Sequence, residues 1–367
     1  MKPVEGRNKI AVLQPEVPHY REEFFRLLSE QCETMDVFVY NSFEQTRKHG
    51  FNINLNDNIK YIANRNIHEV LIYNPFPLLN KRYDTLVLML HFGHITTWLL
   101  LLTKWLHRKK IILWGQGISV KRYLIETVKA DWKLKWQMAL ADGAWIYQEP
   151  EARQWQTIFP KKPIVSLNNT LTGVEQMCES VADEAEKTAL RDKYHIAQEI
   201  VFIFCARFEN SYRRTDLLVE AIERLDTSKY GFNIIGDGKN KPDFSIYKNV
   251  YDFGAVYDDH IKRELFAAAD VYFQPGWVGL SIVEAMAYGK PVFTFRRSED
   301  TLQCVEYCYI EEGKNGLIFD NMDDSLQQMA SLSHEQIQQM GRQARQLVHQ
   351  RLTPTKMAAN ALSIFLS

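Results

Sequence analysis

One segment in the last third of the chain combines an apolar run, a Pro/Gly turn and small residues. The run from Val271 to Phe273 leads into a predicted helix that begins at Gly279-Leu280-Ser281 and ends before Gly289-Lys290-Pro291. A loop that enters a helix through small residues presents backbone N–H groups and the positive end of the helix dipole. Both features bind anions, so the segment predicts a phosphate-binding site.

Ser281 and Glu284 allow two interpretations. A serine followed three residues later by a glutamate is a capping box, in which the carboxylate bonds back to the cap's own N–H group. Alternatively, the carboxylate binds a ligand. A capping box does not require Gly279, Gly289 and Pro291 at these offsets, so the spacing favours a ligand.

The same segment resembles the donor-site signature of retaining glycosyltransferases of family 4, the "glycosyl transferases group 1" type that occurs in bacterial cell-surface polysaccharide synthesis. That signature runs Glu-Gly-Phe-Gly-Leu, three variable residues, Glu-Ala-Met-Ala and Gly-x-Pro-Val. Further matching motifs are Tyr212-Arg213-Arg214-Thr215-Asp216, Ile235-Gly236-Asp237-Gly238, Glu311-Glu312-Gly313-Lys314-Asn315-Gly316-Leu317 and, in the first half, Pro18-His19-Tyr20-Arg21 and Trp114-Gly115-Gln116-Gly117.

The resemblance implies a nucleotide-sugar donor site in the second half of the chain. Glu284 would hold the ribose hydroxyls, and Arg207 and Arg213 would neutralise the departing diphosphate. Arg214 could exchange roles with Arg213, and either Arg207 or Arg213 could instead form a surface ion pair with Glu209 or Asp216. The other residues assigned to this site are Gly236, Gly276, Val278, Gly279, Leu280 and Ser281.

Sugar transfer from a nucleoside diphosphate leaves negative charge on the diphosphate and positive charge on the sugar. Arginines and oriented N–H groups stabilise the first, each oriented donor contributing about 3 kcal/mol in the transition state. With two arginines a metal ion becomes unnecessary, and no Asp-x-Asp motif ends a predicted strand. We therefore expect no metal and no cofactor, with a UDP- or GDP-sugar as substrate.

Two residues depart from the family pattern. Gly276 replaces a glutamate that usually grips the donor sugar, which leaves the donor's identity open. Gln116 replaces a histidine; glutamine can bond a sugar hydroxyl but carries no proton at neutral pH. His91 and His94 are the nearest catalytic substitutes in sequence, unless they are core histidines. His19, Tyr20, Arg21 and Gln116 are the expected acceptor-binding residues.

The function predicted from this resemblance is retaining transfer of a sugar to a lipid-linked oligosaccharide or polysaccharide hydroxyl. An inverting transferase or an epimerase on the same fold would need a carboxylate base such as Glu16. A catalytically degenerate protein that only binds nucleotide sugar is a further alternative, favoured by Gly276 and Gln116.

Short apolar runs alternate with helical stretches along the whole chain, which predicts mostly parallel α/β sheets. The runs are Ile10–Leu13, Val37–Tyr40, Val70–Tyr73, Leu86–Leu90, Ile111–Trp114, Ala144–Tyr147, Ile164–Leu167, Ile200–Cys205, Phe232–Ile235, Val250–Phe253, Val271–Phe273 and Pro291–Phe295. The resemblance implies the GT-B fold, two Rossmann-like doubly wound domains facing a central cleft. We expect an acceptor domain over residues 1–170, a donor domain over 171–350, and a last helix over 351–367 that crosses back to the first domain.

The composition agrees with a soluble α/β protein. The chain has 367 residues, of which 46% are hydrophobic and 24% charged, enough for two cores. Its five cysteines form no even framework and no signal peptide precedes Lys9. These features favour a reducing, cytosolic location.

The whole chain has a net charge of only −1, but its basic residues are concentrated in the first half. Lys104 to Lys110 follow an apolar run, and Lys129, Lys133 and Lys135 alternate with aromatic residues. This pattern suits the anionic inner face of a membrane, or else a solvated helix face; no nucleic-acid-binding motif accompanies it. Thr85 to Thr103 carries no charge, but its central histidines and glycine argue against a membrane span. We expect instead a strand over Leu86–Leu90, a turn at His91–His94 and a helix over Thr97–His107.

Overall fold

A computed structural model describes residues 8–48 and 58–366, which form two compact units. Unit 1 contains the described residues up to Thr172 and those from Pro354 onward, and unit 2 is Gly173–Thr353. The observed boundaries follow residues 172 and 353, whereas the predicted ones follow 170 and 350. The expectation that no signal peptide precedes Lys9 concerns residues outside the described ranges.

Unit 1 is built on a seven-stranded sheet whose neighbouring strands are all parallel. The strands of this unit are β1 Lys9–Gln14, β2 Thr34–Val39, β3 Ile59–Tyr61, β4 Asn64–Ile67, β5 Val70–Tyr73, β6 Thr85–Met89, β7 Lys110–Gly115, β8 Gly143–Ile146 and β9 Ile164–Ser166. The sheet order is β3-β2-β1-β6-β7-β8-β9, with β4 and β5 in a separate pair. The strand order therefore reverses between β1 and β6, where doubly wound sheets bind ligands.

Helices flank this sheet because its strands carry apolar residues on both faces. Ala11 and Leu13 of β1 pack into one hydrophobic cluster, while Ile10 and Val12 pack into another. The helices are α1 Glu22–Glu30, α2 Phe43–Lys48, α3 Ile95–Leu102, α4 Lys104–His107, α5 Tyr123–Glu126, α6 Trp132–Leu140 and α7 Glu149–Ile158.

Unit 2 repeats the same plan with a six-stranded parallel sheet of order β12-β11-β10-β13-β14-β15. Its elements are α8 Val174–Glu179, α9 Glu184–Lys193, β10 Ile200–Cys205, α10 Thr215–Arg224, β11 Tyr230–Ile235, β12 Val250–Asp252, α11 Asp259–Ala268, β13 Val271–Phe273, α12 Ser281–Ala287, β14 Val292–Phe295, β15 Gly316–Phe319, α13 Met322–Ser331 and α14 His334–Arg351. Here the order reverses between β10 and β13.

The last helix, α15 Pro354–Ser363, belongs to unit 1. It contacts α1, and its Met357 and Ala361 are buried in the same cluster as Ile10. The indole Nε1 of Trp145 donates to the carbonyl of Ala361 at 3.1 Å. This helix thus completes one face of the first sheet.

One predicted strand, Val70–Tyr73, is wrongly placed in the parallel sheet. It is β5, which pairs antiparallel with β4 through the two-residue turn at His68 and Glu69. A parallel partner would need a crossover of a dozen residues, whereas this turn closes at once because His68 adopts a φ of 55°. The turn residues His68 and Glu69 are not the Asn-Gly or Asp-Gly pair that marks a two-residue hairpin, so the sequence carried little sign of it.

The uncharged segment Thr85 to Thr103 forms β6, a turn and α3, as predicted. The predicted helix Thr97–His107 is interrupted, because Thr103 lies outside helical geometry and separates α3 from α4. Within the described residues, the helices are too short or too polar to cross a membrane.

Candidate functional site

The phosphate-binding loop predicted from the sequence lies in unit 2 at the carboxyl ends of two adjacent strands. Residues 274–280 leave β13, and residues 206–214 leave its neighbour β10. Gly236, at the end of β11, faces the same region: a Cβ there would lie 2.0 Å from the carbonyl oxygen of Ala206. The site residues of unit 2 therefore meet at the point where the strand order reverses.

Gln274 holds the loop after β13 in shape. Its side chain is fully buried, and its Nε2 donates to the carbonyls of Trp277 at 2.7 Å and Gly276 at 3.1 Å. Its Oε1 accepts from the Tyr272 hydroxyl at 2.5 Å and from Ser281 Oγ at 3.2 Å. Every polar atom of this amide is thus used to fix the loop, a role that the sequence analysis missed. The sequence signal for this role was a glutamine placed directly after the apolar run Val271–Phe273.

Gln303 supports the loop from a second side. Its Oε1 accepts from the N–H of Val278 at 2.7 Å, and the N–H of Trp277 donates to the carbonyl of Leu302 at 2.8 Å. The N–H groups of Val278 and Trp277 are therefore committed. Among the described residues, those of Gly279 and Leu280 have no hydrogen-bond partner and remain available to an anion.

Arg213 is the arginine that faces this loop. Its Nη1 donates to the carbonyl of Trp277 at 3.0 Å, while its buried Nε has no partner among the described residues. Burial lowers the pKa of Arg213, which lies near Tyr272 and Cys304. An arginine with an unused buried donor beside free N–H groups is suited to a phosphate.

Arg214 forms the ion pair with Asp216 that was considered for Arg207 or Arg213. Its Nε and Nη2 contact the carboxylate of Asp216 at 3.0 and 2.7 Å, and its Nη1 donates to Thr301 Oγ1 at 2.6 Å. Arg214 is thus committed to neighbouring side chains, whereas Arg213 retains an unpartnered Nε among the described residues. Arg207 lies on the loop after β10 and is exposed.

Glu284 is buried in α12 and paired with a lysine that the sequence analysis did not assign. Its Oε1 lies 2.7 Å from Lys262 Nζ. Burial is the largest single influence and lowers the pKa of Lys262, but the Glu284 carboxylate, Cys205 and Tyr288 together raise it, so the net shift is upward. The capping-box interpretation is wrong, because the helix is capped by Leu280 with no side-chain bond and Ser281 already lies inside it.

Gly276 packs against protein and does not line an open pocket. A Cβ at this position would lie 2.4 Å from the carbonyl oxygen of Tyr212 and 2.8 Å from Cγ of Arg214. The absence of a side chain at position 276 therefore does not open space for a sugar substituent. Trp277, whose φ is 54°, stacks on Tyr212 with ring centroids 5.0 Å apart.

In unit 1, the predicted acceptor residues follow β1 and β7. His19–Arg21 form a 3-10 turn, and Arg21 is buried with its guanidinium 5.1 Å from the ring of Trp114 and 5.0 Å from that of Tyr147. Its Nη2 donates to Asn169 Oδ1 at 3.2 Å. The aromatic and amide partners of Arg21 were not predicted, because they come from three different strand ends.

Gln116 directly follows β7 and is half-buried. Its side chain has no hydrogen-bond partner within the described part of the chain. The next residue, Gly117, has a φ of 75° and accepts a hydrogen bond from Trp155 Nε1 at 2.8 Å. This fixed turn leaves the amide of Gln116 available to a hydroxyl.

His91 and His94 follow β6, and the second of them is a core residue. His94 is buried, its ring meets Tyr40 edge-on at 5.7 Å, and burial together with the neighbouring His91 lowers its pKa to about 3. Burial also lowers the pKa of His91, whose Nδ1 accepts from the N–H of Gly93 at 3.1 Å. With so low a pKa, His94 is a poor proton acceptor near neutral pH.

The second unit matches a known family. Residues 199–335 fit the model of the family described as "Glycosyl transferases group 1". A stretch of 99 residues is 38% identical to a Klebsiella pneumoniae protein described as an uncharacterized 41.2 kDa protein in the cps region. That stretch is 26% of this chain and 27% of the Klebsiella protein.

Solved structures share the architecture along nearly the whole chain. HepE from Anabaena, in complex with UDP and glucose, matches with a TM-score of 0.62 at 13% identity, over 98% of this chain and 100% of its own. A glycosyltransferase from Rickettsia africae gives 0.63 at 15%, over 98% of both chains. The lipopolysaccharide outer core galactosyltransferase WaaB gives 0.61 at 14%, over 97% and 99%.

These matches agree with the two parallel sheets of the chain. Residues 199–335 match the model of the glycosyl transferases group 1 family, and the chain as a whole has the GT-B fold of these solved glycosyltransferase structures.

Proposed function

We propose that this chain is a metal-independent, retaining glycosyltransferase that moves a sugar from a UDP- or GDP-sugar to a hydroxyl of a lipid-linked oligosaccharide or polysaccharide. The observation that carries the proposal is the anion-binding arrangement in the group 1 domain. The unpartnered Nε of Arg213 and the free N–H groups of Gly279 and Leu280 belong to one hydrogen-bonded, partly exposed pair of loops. The description of HepE as a complex with UDP and glucose supports the nucleotide-sugar donor.

In this mechanism the bond between the sugar C1 and the diphosphate oxygen breaks, and the acceptor oxygen bonds to C1 on the same face. Arg213, with Arg207 on the adjacent loop, stabilises the charge left on the diphosphate. The departing phosphate oxygen takes the acceptor's proton, so no histidine base is needed. This is consistent with the surroundings of His94 and with the presence of glutamine at 116.

Glu284 would bind the ribose of the nucleotide. Its carboxylate is positioned by Lys262, and ionised oxygens accept hydrogen bonds from hydroxyls more strongly than neutral ones. Gly276, Val278 and Ser281 contribute to the donor site indirectly, by shaping the loop that carries Gly279 and Leu280.

We further propose that His19, Tyr20, Arg21 and Gln116 contact the acceptor from unit 1, in the cytoplasm at the inner face of the cell membrane. WaaB is a lipopolysaccharide outer core galactosyltransferase, which supports an acceptor of this class. Gln116 would bond an acceptor hydroxyl through its free amide.

The test is incubation with a panel of UDP- and GDP-sugars, with and without EDTA, followed by detection of released nucleotide. Expected results are hydrolysis of at least one donor that EDTA does not abolish, and a retained anomeric configuration in the product by NMR. An inverted product would contradict the retaining mechanism and direct attention to Glu16 or His91. Nucleotide binding without turnover of any donor would identify a degenerate binding protein.

A further inference from the structure

Exposed apolar side chains are concentrated in one short part of unit 1. Of the twenty large apolar side chains that are exposed in the described residues, eleven lie between residues 92 and 136. Trp105, Trp132 and Trp136 are among them, with 75%, 63% and 62% of their surfaces exposed. Soluble proteins scatter such residues singly, so this concentration indicates a binding surface.

These residues come from two neighbouring elements of the fold. Helix α3 follows β6, residues 117–140 follow the adjacent strand β7, and α3 contacts α6. On α3, Ile95, Leu99 and Leu102 are exposed, while Thr97, Leu100 and Leu101 on its other side are buried. Trp132 and Trp136, one helical turn apart, are exposed on α6, while Gln137 and Met138 are buried. Both helices therefore turn an apolar stripe to solvent.

The charges in this region are positive almost without exception. Residues 92–136 contain nine lysines and arginines but only two acidic residues. Glu126 is buried, and Asp131 lies 3.0 Å from Arg122. Residues 92–136 therefore contain no exposed carboxylate among their lysines and arginines.

Some lysines of this segment are bound within the protein and cannot contact a ligand. Lys104 Nζ is bound to Asp142 at 2.6 Å, and Lys109 is buried against the carbonyls of Asn80 and Tyr83. The exposed side chains of Arg108, Lys121 and Lys129 have no ion-pair partner among the described residues. Lys133 Nζ lies 4.6 Å from the ring of Phe92, which keeps its charge beside the apolar residues.

We propose that this apolar–basic face, formed by α3, α4 and residues 120–136, docks on an anionic lipid bilayer. Tryptophan side chains are amphipathic and favour the headgroup level of a membrane, and lysines near that surface are attracted to anionic lipid. The occupant is a bilayer because a positive face with protruding tryptophans and no exposed carboxylate complements an anionic headgroup layer. The inference concerns unit 1 and its test needs no turnover, so it stands or fails separately from the proposed activity.

The experiment is flotation of the full chain with phosphatidylcholine vesicles that contain none or about a third phosphatidylglycerol. We expect binding to the anionic vesicles, a blue shift of tryptophan emission, and loss of binding as salt rises, since charges are screened within about 8 Å at physiological ionic strength. The double variants Trp132→Ser/Trp136→Ser and Lys121→Glu/Lys129→Glu should each bind at least about tenfold more weakly.

Matched controls lie on unit 2, where Ile246, Lys239 and Lys248 are also exposed. Ile246→Ser and Lys239→Glu/Lys248→Glu should bind like the wild type, and circular dichroism should confirm that all variants fold. Equal binding to neutral and anionic vesicles, or equal losses in the controls, would overturn the proposal. So would a dimer in sedimentation velocity that Trp132→Ser/Trp136→Ser abolishes, because the face would then bind a second copy of the chain.

Discussion

Arg213 and Arg214 are adjacent in the sequence but differ in their contacts: Arg214 is ion-paired, whereas Arg213 keeps an unpartnered Nε among the described residues. Arg214 adopts a φ of 51° and turns its guanidinium onto Asp216, where it stabilises the local fold. Arg213 ends the preceding 3-10 turn and places an unused donor beside the loop after β13. A sequence motif of two arginines cannot assign these roles, because the left-handed residue between turn and helix decides them.

Arg213→Ala should lower turnover by about 100-fold, because it removes charge stabilisation from the departing diphosphate. The measurement is the rate of nucleotide release with the preferred donor. Arg224→Ala, which removes an exposed arginine of the same unit, should leave the rate unchanged. Equal rates for Arg213→Ala and wild type would show that the diphosphate binds elsewhere.

Glu284→Gln should weaken UDP or GDP binding by about 1 to 3 kcal/mol, through loss of a charged acceptor for the ribose. Titration calorimetry measures this directly. Glu264→Gln is a suitable comparison, because Glu264 is also buried and paired with a lysine, at 2.6 Å from Lys193. If both variants lose stability and neither loses affinity, Glu284 is only structural.

His94 should make the protein sensitive to acid. Its pKa is lowered to about 3 by burial and by His91, so the folded protein keeps it neutral while the unfolded chain protonates it below about pH 6.5. Above pH 6.5 the histidine is neutral in both states and does not reduce the free energy of unfolding. Below that pH the unfolded state gains a proton, and the free energy of unfolding falls by about 2 kcal/mol at pH 5. Urea unfolding should be measured from pH 7 to 4 for the wild type and His94→Asn. Between pH 7 and pH 5 the free energy of unfolding should fall by about 2 kcal/mol less in the variant. Parallel pH curves would contradict the prediction.

The loops after β10 and β13 form one packed element, although about 60 residues separate them in the chain. Gly276 makes the contact possible, since its position against the Tyr212 carbonyl leaves no space for a Cβ. Trp277 then stacks on Tyr212 and returns its carbonyl to Arg213. The position of Arg213 therefore depends on a glycine in another loop.

Gly276→Ala should destabilise unit 2 by about 1 to 3 kcal/mol, because the 211–214 turn must move to admit the methyl group. Gly279→Ala is the matched control, since its Cβ would meet nothing closer than Cys304 Sγ at 3.8 Å. Thermal unfolding of the two variants distinguishes them. Similar melting temperatures would mean that the two loops are not tightly packed.

The sequence was most informative where structure is local. Five of the six strands of unit 2 were predicted within a few residues because continuous apolar runs mark buried parallel strands, whereas β15 was missed. The loop after β13 was found by its motif. The hairpin of β4 and β5 escaped because His68 gives no turn signal. Lys262 and Gln303 escaped because their partners, Glu284 and Val278, lie more than twenty residues away and only the fold brings them together.

Unit 2 is one continuous stretch of chain, whereas unit 1 is assembled from two. The second piece consists mainly of α15, whose Met357, Ala358 and Ala361 are buried against the sheet of unit 1. Removing it uncovers an apolar surface on unit 1 and leaves unit 2 intact.

A chain that stops after Thr353 should therefore unfold unit 1 at a lower temperature and keep its affinity for UDP or GDP within about twofold. Differential scanning calorimetry with and without nucleotide measures the unfolding temperature of each unit and the stabilisation of unit 2 by the nucleotide. A chain shortened by only its last two residues should behave like the full-length protein, since Leu366 is 70% exposed. Loss of nucleotide affinity on removal of α15 would place part of the nucleotide site outside unit 2.

The return of α15 to unit 1 also fixes an order of events during synthesis. A ribosome makes the chain from its amino end, and domains commonly fold in that order as they emerge. Here the sheet of unit 1 emerges first but waits for about 180 further residues before its last helix exists. Unit 2, although translated later, has all of its residues as soon as Thr353 leaves the ribosome. The half of the molecule that is begun first is thus the half that is finished last, and its incomplete face is the surface that a nascent-chain chaperone would meet.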